Sequence, residues 1–112
     1  MKSQKLNPSE VEILKGQISE AEVKELKEKH KELYAISGGG HIAYFRKPNR
    51  HDVNFAASTL DADTPLSYFE SIMQECMVAG SSEIINNDSL FLSAMNEFKP
   101  LVEGQKTILA KL

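Results

Sequence analysis

The chain contains no tryptophan and a single cysteine, Cys76. A lone cysteine excludes any internal disulfide, which fits a reducing compartment. No apolar run approaches the ~20 residues needed to span a bilayer. The first thirty residues are highly charged and lack the apolar core of a secretory signal. The expectation is therefore a soluble cytoplasmic protein with no membrane contact. Lys and Arg are missing throughout the stretch from His51 to Phe98, which carries eight acidic residues. Such a stretch excludes a broad nucleic-acid footprint, because phosphate contacts need clustered cations. With 112 residues, the chain is one domain, too short for a (β/α)₈ barrel or a complete dinucleotide fold.

What is present is ordinary in amount and uneven in layout. Hydrophobic residues make up 41% and charged residues 26%, the balance of a globular domain rather than a disordered one. The net charge is −3. Residues 1–32 carry seven Lys and seven Glu, which cancel. Arg46, Lys47 and Arg50 follow as a compact basic turn, then comes the acidic stretch, and the segment from Lys99 onward is basic again. Three cations in one turn are better matched to ion pairs with the acidic half, or to a protein partner, than to nucleic acid.

Periodicity divides the chain into an accessory N-terminal helix (1–18), a helix plus β-hairpin (19–47) and a helical half (48–112). Asn7-Pro8-Ser9-Glu10 has the form of a helix start, and Val11, Leu14 and Ile18 continue it as an apolar stripe that Gly16 weakens. Ser19-Glu20-Ala21-Glu22 is a second capping box, predicting a helix from Glu20 through Val23, Leu26 and His30. Leu33–Ile36 and His41–Arg46 flank Ser37-Gly38-Gly39-Gly40, the pattern of a hairpin whose turn needs positive φ. A phosphate-cradling role for the glycines would require a helix after them, and a strand follows instead.

Beyond Pro48 the expectation is helical. Asn49 caps a helix with Asp52 at its third position and Val53, Ala56, Ala57 and Leu60 on one face. Asp61–Thr64 interrupts it, and Pro65 restarts a helix lined by Leu66, Phe69, Met73, Cys76 and Met77 and ended by Gly80. Ser81–Asn87 reads as a loop. Asn87 or Asp88 caps a third helix carrying Phe91, Ala94, Met95 and Phe98, and Pro100 opens a fourth with Leu101, Gln105, Ile108 and Leu112. The fold class is α+β. Because two strands alone make a marginal sheet in water, the hairpin must lie on the helices or borrow strands from another copy, so a homo-oligomer is expected.

No catalytic constellation emerges. His30, His41 and His51 lack metal-ligand spacing. Cys76, between Met73 and Met77 on an apolar face, reads as a small buried hydrophobe. Asn86-Asn87-Asp88 lacks the spacing of a calcium loop, and there is no nucleophile elbow, zinc-protease motif or P-loop. The chain is read as non-enzymatic, without cofactor or metal. Phe69, Met73, Met77, Phe91, Met95 and Phe98 are core candidates first; Met-rich faces also make adaptable protein-binding surfaces, so the same six are the candidate partner-binding residues.

Several segments in a fixed order carry a resemblance: Lys29-His30 before a strand, Ala43-Tyr44-Phe45-Arg46-Lys47-Pro48-Asn49-Arg50, Asp63-Thr64-Pro65-Leu66, Glu75-Cys76-Met77-Val78-Ala79-Gly80, Asp88-Ser89-Leu90-Phe91-Leu92 and a closing Leu–Lys helix. In this order the chain from Lys29 onward resembles small phage and prophage proteins, and its layout is similar to that of phage tail assembly chaperones. The resemblance implies an α+β fold and a non-enzymatic role in the host cytoplasm, binding the tape-measure protein until tail-tube subunits polymerise around it. The alternative is a small virion structural protein of connector or head–tail completion type.

Overall fold

A computed structural model describes residues 13–59 and 65–112. The fold is α+β, with five helices and one antiparallel sheet of three strands among the described residues. Helix α1 spans Glu20–His30, and strands β1 and β2 span Leu33–Gly38 and His41–Arg46. Helices α2 (Arg50–Thr59) and α3 (Pro65–Cys76) come next, then strand β3 (Met77–Gly80) and helices α4 (Glu83–Asn86) and α5 (Asp88–Glu103).

Local chemistry sets most of these boundaries. At α1, the Ser19 hydroxyl accepts from the Glu22 amide while the Glu22 carboxylate accepts from the Ser19 amide, a complete capping box. The hairpin closes through Gly39 and Gly40, whose φ values of 57° and 83° suit the two-residue turn that joins right-twisted strands. Asn87 caps α5 by accepting from the Leu90 amide.

The sheet has the order β1-β2-β3 with antiparallel pairing throughout. Ala43 and Phe45 of β2 point into the core, where they meet Ile72, Met73 and Cys76 of α3, Ile84 and Ile85 of α4, and Phe91, Ala94 and Phe98 of α5. The Phe45 and Phe98 rings meet edge-on, with centroids 5.4 Å apart. Tyr44, alternating with Ala43 and Phe45, lies on the opposite sheet face. It too is buried, and its hydroxyl accepts from the Ile18 amide at 3.4 Å.

Four expectations need correction. First, residues 1–12 of the expected helix Pro8–Ile18 lie outside the described residues, and residues 13–18 are not helical. Lys15 instead bridges in parallel to His41: its amide donates to the Gly40 carbonyl, and its carbonyl accepts from Ile42. Gly16 is therefore no weak point in a helix. It has φ 93°, and a Cβ there would lie 2.4 Å from the Ser81 nitrogen.

Second, Met77–Gly80 is a strand, not the end of a helix. The apolar spacing of α3 continues through Met77, but β2 offers an unpaired edge, and Tyr44 and Phe45 pair with Ala79 and Met77 across a bulge. The hairpin thus gains its third strand from its own chain, which removes that argument for an oligomer.

Third, the expected loop Ser81–Asn87 contains α4, which drives Ile84 and Ile85 into the core.

Fourth, no helix begins at Pro100. Helix α5 runs through it to Glu103, because buried Phe98 and half-buried Leu101 and Val102 hold that turn against the core despite the missing amide. The closing Leu–Lys helix is absent: Gly104 ends α5 with φ 71°, and residues 104–112 form no helix. So short an isolated segment has too few helical bonds to offset nucleation.

The Asp61–Thr64 break and Leu60 lie outside the described residues. Among the described residues, no helix is long and apolar enough to cross a membrane.

Candidate functional site

The densest polar constellation joins the end of β2 to α2 and α3. Arg46 stands at the last position of β2, and Pro48-Asn49 turn the chain so that Asp52 occupies the third position of α2. The Arg46 guanidinium forks onto Asp52, Nη1 donating to Oδ2 at 2.7 Å and Nη2 to Oδ1 at 2.9 Å. Nη2 also donates to the Glu75 carbonyl at 3.2 Å, which ties the pair to the end of α3. Asp52 accepts from the Asn49 amide at 2.8 Å, and the Asp52 amide donates back to Asn49 Oδ1 at 3.0 Å, so the carboxylate serves both the ion pair and a reciprocal cap. The thiol of Cys76 lies 3.7 Å from the same carboxylate.

The electrostatics follow from that geometry. The guanidinium holds the Asp52 carboxyl below its ordinary value against the opposing effect of burial. The carboxylate in turn raises Arg46. Burial, reinforced by the neighbouring Asp52 carboxylate against the opposing Arg46 charge, pushes the Cys76 thiol up to about 12. A thiol with that value is protonated at neutral pH and is a poor nucleophile. Asp52 is only 2% exposed and its hydrogen bonds are made inside the protein. This constellation is a structural clamp between sheet and helices.

The rest of the basic turn is looser. Lys47 reaches Glu32 at 3.9 Å across exposed surface, a contact of little energetic weight. Arg50 is exposed and makes no ion pair among the described residues. The six candidate partner-binding residues do not form one surface. Met73, Phe91 and Phe98 are buried and serve the core of the chain itself. Phe69, Met77 and Met95 are half-buried, Phe69 against the ring of Tyr68. Leu66, expected to face inward, is exposed.

Two surface features stand out. One is the tail after α5: Ile108 and Leu109 are 94% and 99% exposed, and Leu112 is fully exposed. The other is a groove of about 420 Å³ bounded by α3, β3 and α4, with Gln74, Met77, Val78, Ala79, Ser82 and Ile85 among its walls. β3 lies at the edge of the sheet, so its second edge pairs with no described strand. The sequence analysis placed Ile108 and Leu112 on one face of a helix, whereas residues 104–112 are not helical. The alternative signal was available in the period-two spacing of Ile108, Ala110 and Leu112 after a glycine stop. Among the described residues, no three His, Cys, Asp or Glu side chains are grouped to hold a metal ion. Comparisons with protein-family models, with curated proteins and with solved structures found no match to this chain.

Proposed function

We propose that the protein is a non-enzymatic, protein-binding assembly factor of the phage tail assembly chaperone type, holding a tape-measure protein in the host cytoplasm during tail assembly. The observation that carries this reading is the apolar tail. Three large aliphatic side chains stand in solvent within five residues, and an uncovered apolar segment of this kind is a surface for protein contact. The inward use of Asp52 and Cys76 agrees with it, since the two groups best placed for chemistry are held in a clamp. The resemblance from Lys29 onward supplies the type of client.

Co-expression with the tape-measure protein of the same genome tests the proposal. The expected result is co-elution of the two proteins and a client kept soluble, with the factor missing from purified particles. Failure to form the complex, together with stoichiometric presence in particles, would replace this reading with that of a virion structural protein.

A further inference from the structure

The tail and the groove are complementary in shape class, hydropathy and charge. In an extended conformation Ile108, Ala110 and Leu112 share one face. The groove offers Met77, Val78, Ala79 and Ile85 beside a free strand edge. That edge carries neither proline nor charge (Met77-Val78-Ala79-Gly80), so only its short length restricts strand addition. The tail bears Lys106 and Lys111 and no acidic side chain after Glu103. Exposed Glu75 and Glu83 adjoin the groove residues Gln74 and Ser82 in sequence, within a stretch that has no Lys or Arg.

Reach decides which tail fills which groove. The groove lies where α5 begins, since Ile85 and Asn86 line it and α5 starts at Asp88. The tail leaves from the far end of α5, a helix of 16 residues and hence ~24 Å away. Running back along the helix at ~3.3 Å per residue, the tail spends about seven residues before it arrives. Ile108 and Ala110, four and six residues beyond Gly104, would then lie short of the groove, and their apolar face would be wasted on the way.

We propose that the C-terminal tail, Gly104–Leu112, of one copy adds as a fourth strand to the free edge of β3 in a second copy, with Ile108, Ala110 and Leu112 over the groove. Main-chain hydrogen bonds along the edge supply affinity, and the alternate apolar side chains supply register. Tail and groove are different surfaces, so the contact is heterologous and propagates head to tail into a ring or an open stack. The proposal rests on reading the tail as a binding element and not on the identity of any client.

The test uses the full chain. Sedimentation velocity across a concentration series should show mass-action association of the wild type. The double variant Ile108→Asp/Leu112→Asp should weaken that association by about tenfold or more. Both sites are exposed, so the variant's circular dichroism should match the wild type. A synthetic peptide of Gly104–Leu112, added to the isotope-labelled double variant, should shift the amide resonances of Val78, Ala79, Ser82 and Ile85.

Three results would overturn the proposal. One is a wild type that stays monomeric at every concentration, including the case where the tail docks on its own chain. Another is association undiminished in the double variant. The third is peptide-induced shifts that are absent or lie on another surface. Loss of tape-measure binding with self-association intact would refute the proposed function and leave this inference standing.

Discussion

Replacing Asp52 by Ala removes the one buried charged side chain among the described residues. The carboxylate accepts two charge-assisted bonds from Arg46 and one from the Asn49 amide. Truncation leaves a guanidinium, 20% exposed, with only the Glu75 and Lys47 carbonyls as protein partners. Breaking a buried pair by removing one member costs ~3–5 kcal/mol. Partial exposure of Arg46 lets water replace some of the loss, which argues for the lower end of that range, about 3 kcal/mol. The Asn49 side-chain cap survives, since it takes the backbone amide of residue 52, but the Asn49 amide loses its acceptor, which adds ~1 kcal/mol. A total near 4 kcal/mol is a large share of the ~5–15 kcal/mol that holds a small domain folded. At ~4–8 °C per kcal/mol, it lowers Tm by at least about 15 °C.

The assay is urea and thermal unfolding followed by circular dichroism, run as a double-mutant cycle. Asp52→Ala and Arg46→Met should each destabilise strongly. The pair Arg46→Met/Asp52→Ala should recover part of the loss, because it leaves no buried charge alone. If Asp52→Ala costs less than about 1 kcal/mol, or if the double variant is as unstable as the sum of the singles, the clamp is not what joins α2 and α3 to the sheet.

Three further outcomes are expected. Asp52 has its folded-state value below the ordinary carboxyl value, so its contribution is complete above that ordinary value, 3.8, and is lost as pH falls through the lower folded-state value; acid unfolding of Asp52→Asn should lack this component of the wild-type profile. Gly16→Ala and Gly80→Ala should each cost ~2 kcal/mol or more in denaturant unfolding, since a Cβ would meet backbone atoms at 2.4 Å and 2.5 Å with φ at 93° and 107°; Gly104→Ala, with φ 71° but open space around it, should cost only ~1 kcal/mol. Cys76, buried with its thiol pushed up to about 12, should resist a thiol-specific reagent at pH 8 in the native state and react fully in urea.

The elements legible in the sequence are those with local chemical signatures. The Ser19 box and the Asn49–Asp52 cap satisfy orphan backbone groups with residues a few positions apart, and with the Pro65 start they mark helix boundaries at their expected places, while the glycine turn falls inside its expected segment with β1 running two residues further, to Gly38. The features that escaped depend on partners distant in sequence. Met77–Gly80 continues a helical spacing and becomes a strand only because β2 presents a free edge. Glu83–Asn86 form one helical turn, too short for periodicity to appear. Pro100 signals a helix start, yet Phe98 anchored on Phe45 carries α5 through it. At the candidate surfaces the same limit applies. Arg46 and Asp52 stand out from neighbouring sequence, whereas the groove depends on α3, β3 and α4 converging.

The dimensions of β3 explain how a free edge persists without inviting uncontrolled aggregation. Its four residues span ~13 Å at ~3.3 Å each, and edges this short template little. Beyond Gly80, the next length of the β2 edge is already taken. The Ile42 amide donates to Lys15 and the Ile42 carbonyl accepts from Ser81, so the N-terminal segment caps the ladder where an incoming chain would otherwise extend it. The close approach of Gly16 to Ser81 and of Gly80 to Ala43 fixes that stop, because any side chain at either glycine would push the two segments apart. What remains open accepts about four or five extended residues, the length of Ile108–Leu112. An edge cut to that size favours one short strand in one register over lateral stacking of many. If copies pair as proposed, a contact limited in this way can be made and released, while the Arg46–Asp52 pair and the Phe45–Phe98 contact hold each fold together within its own chain.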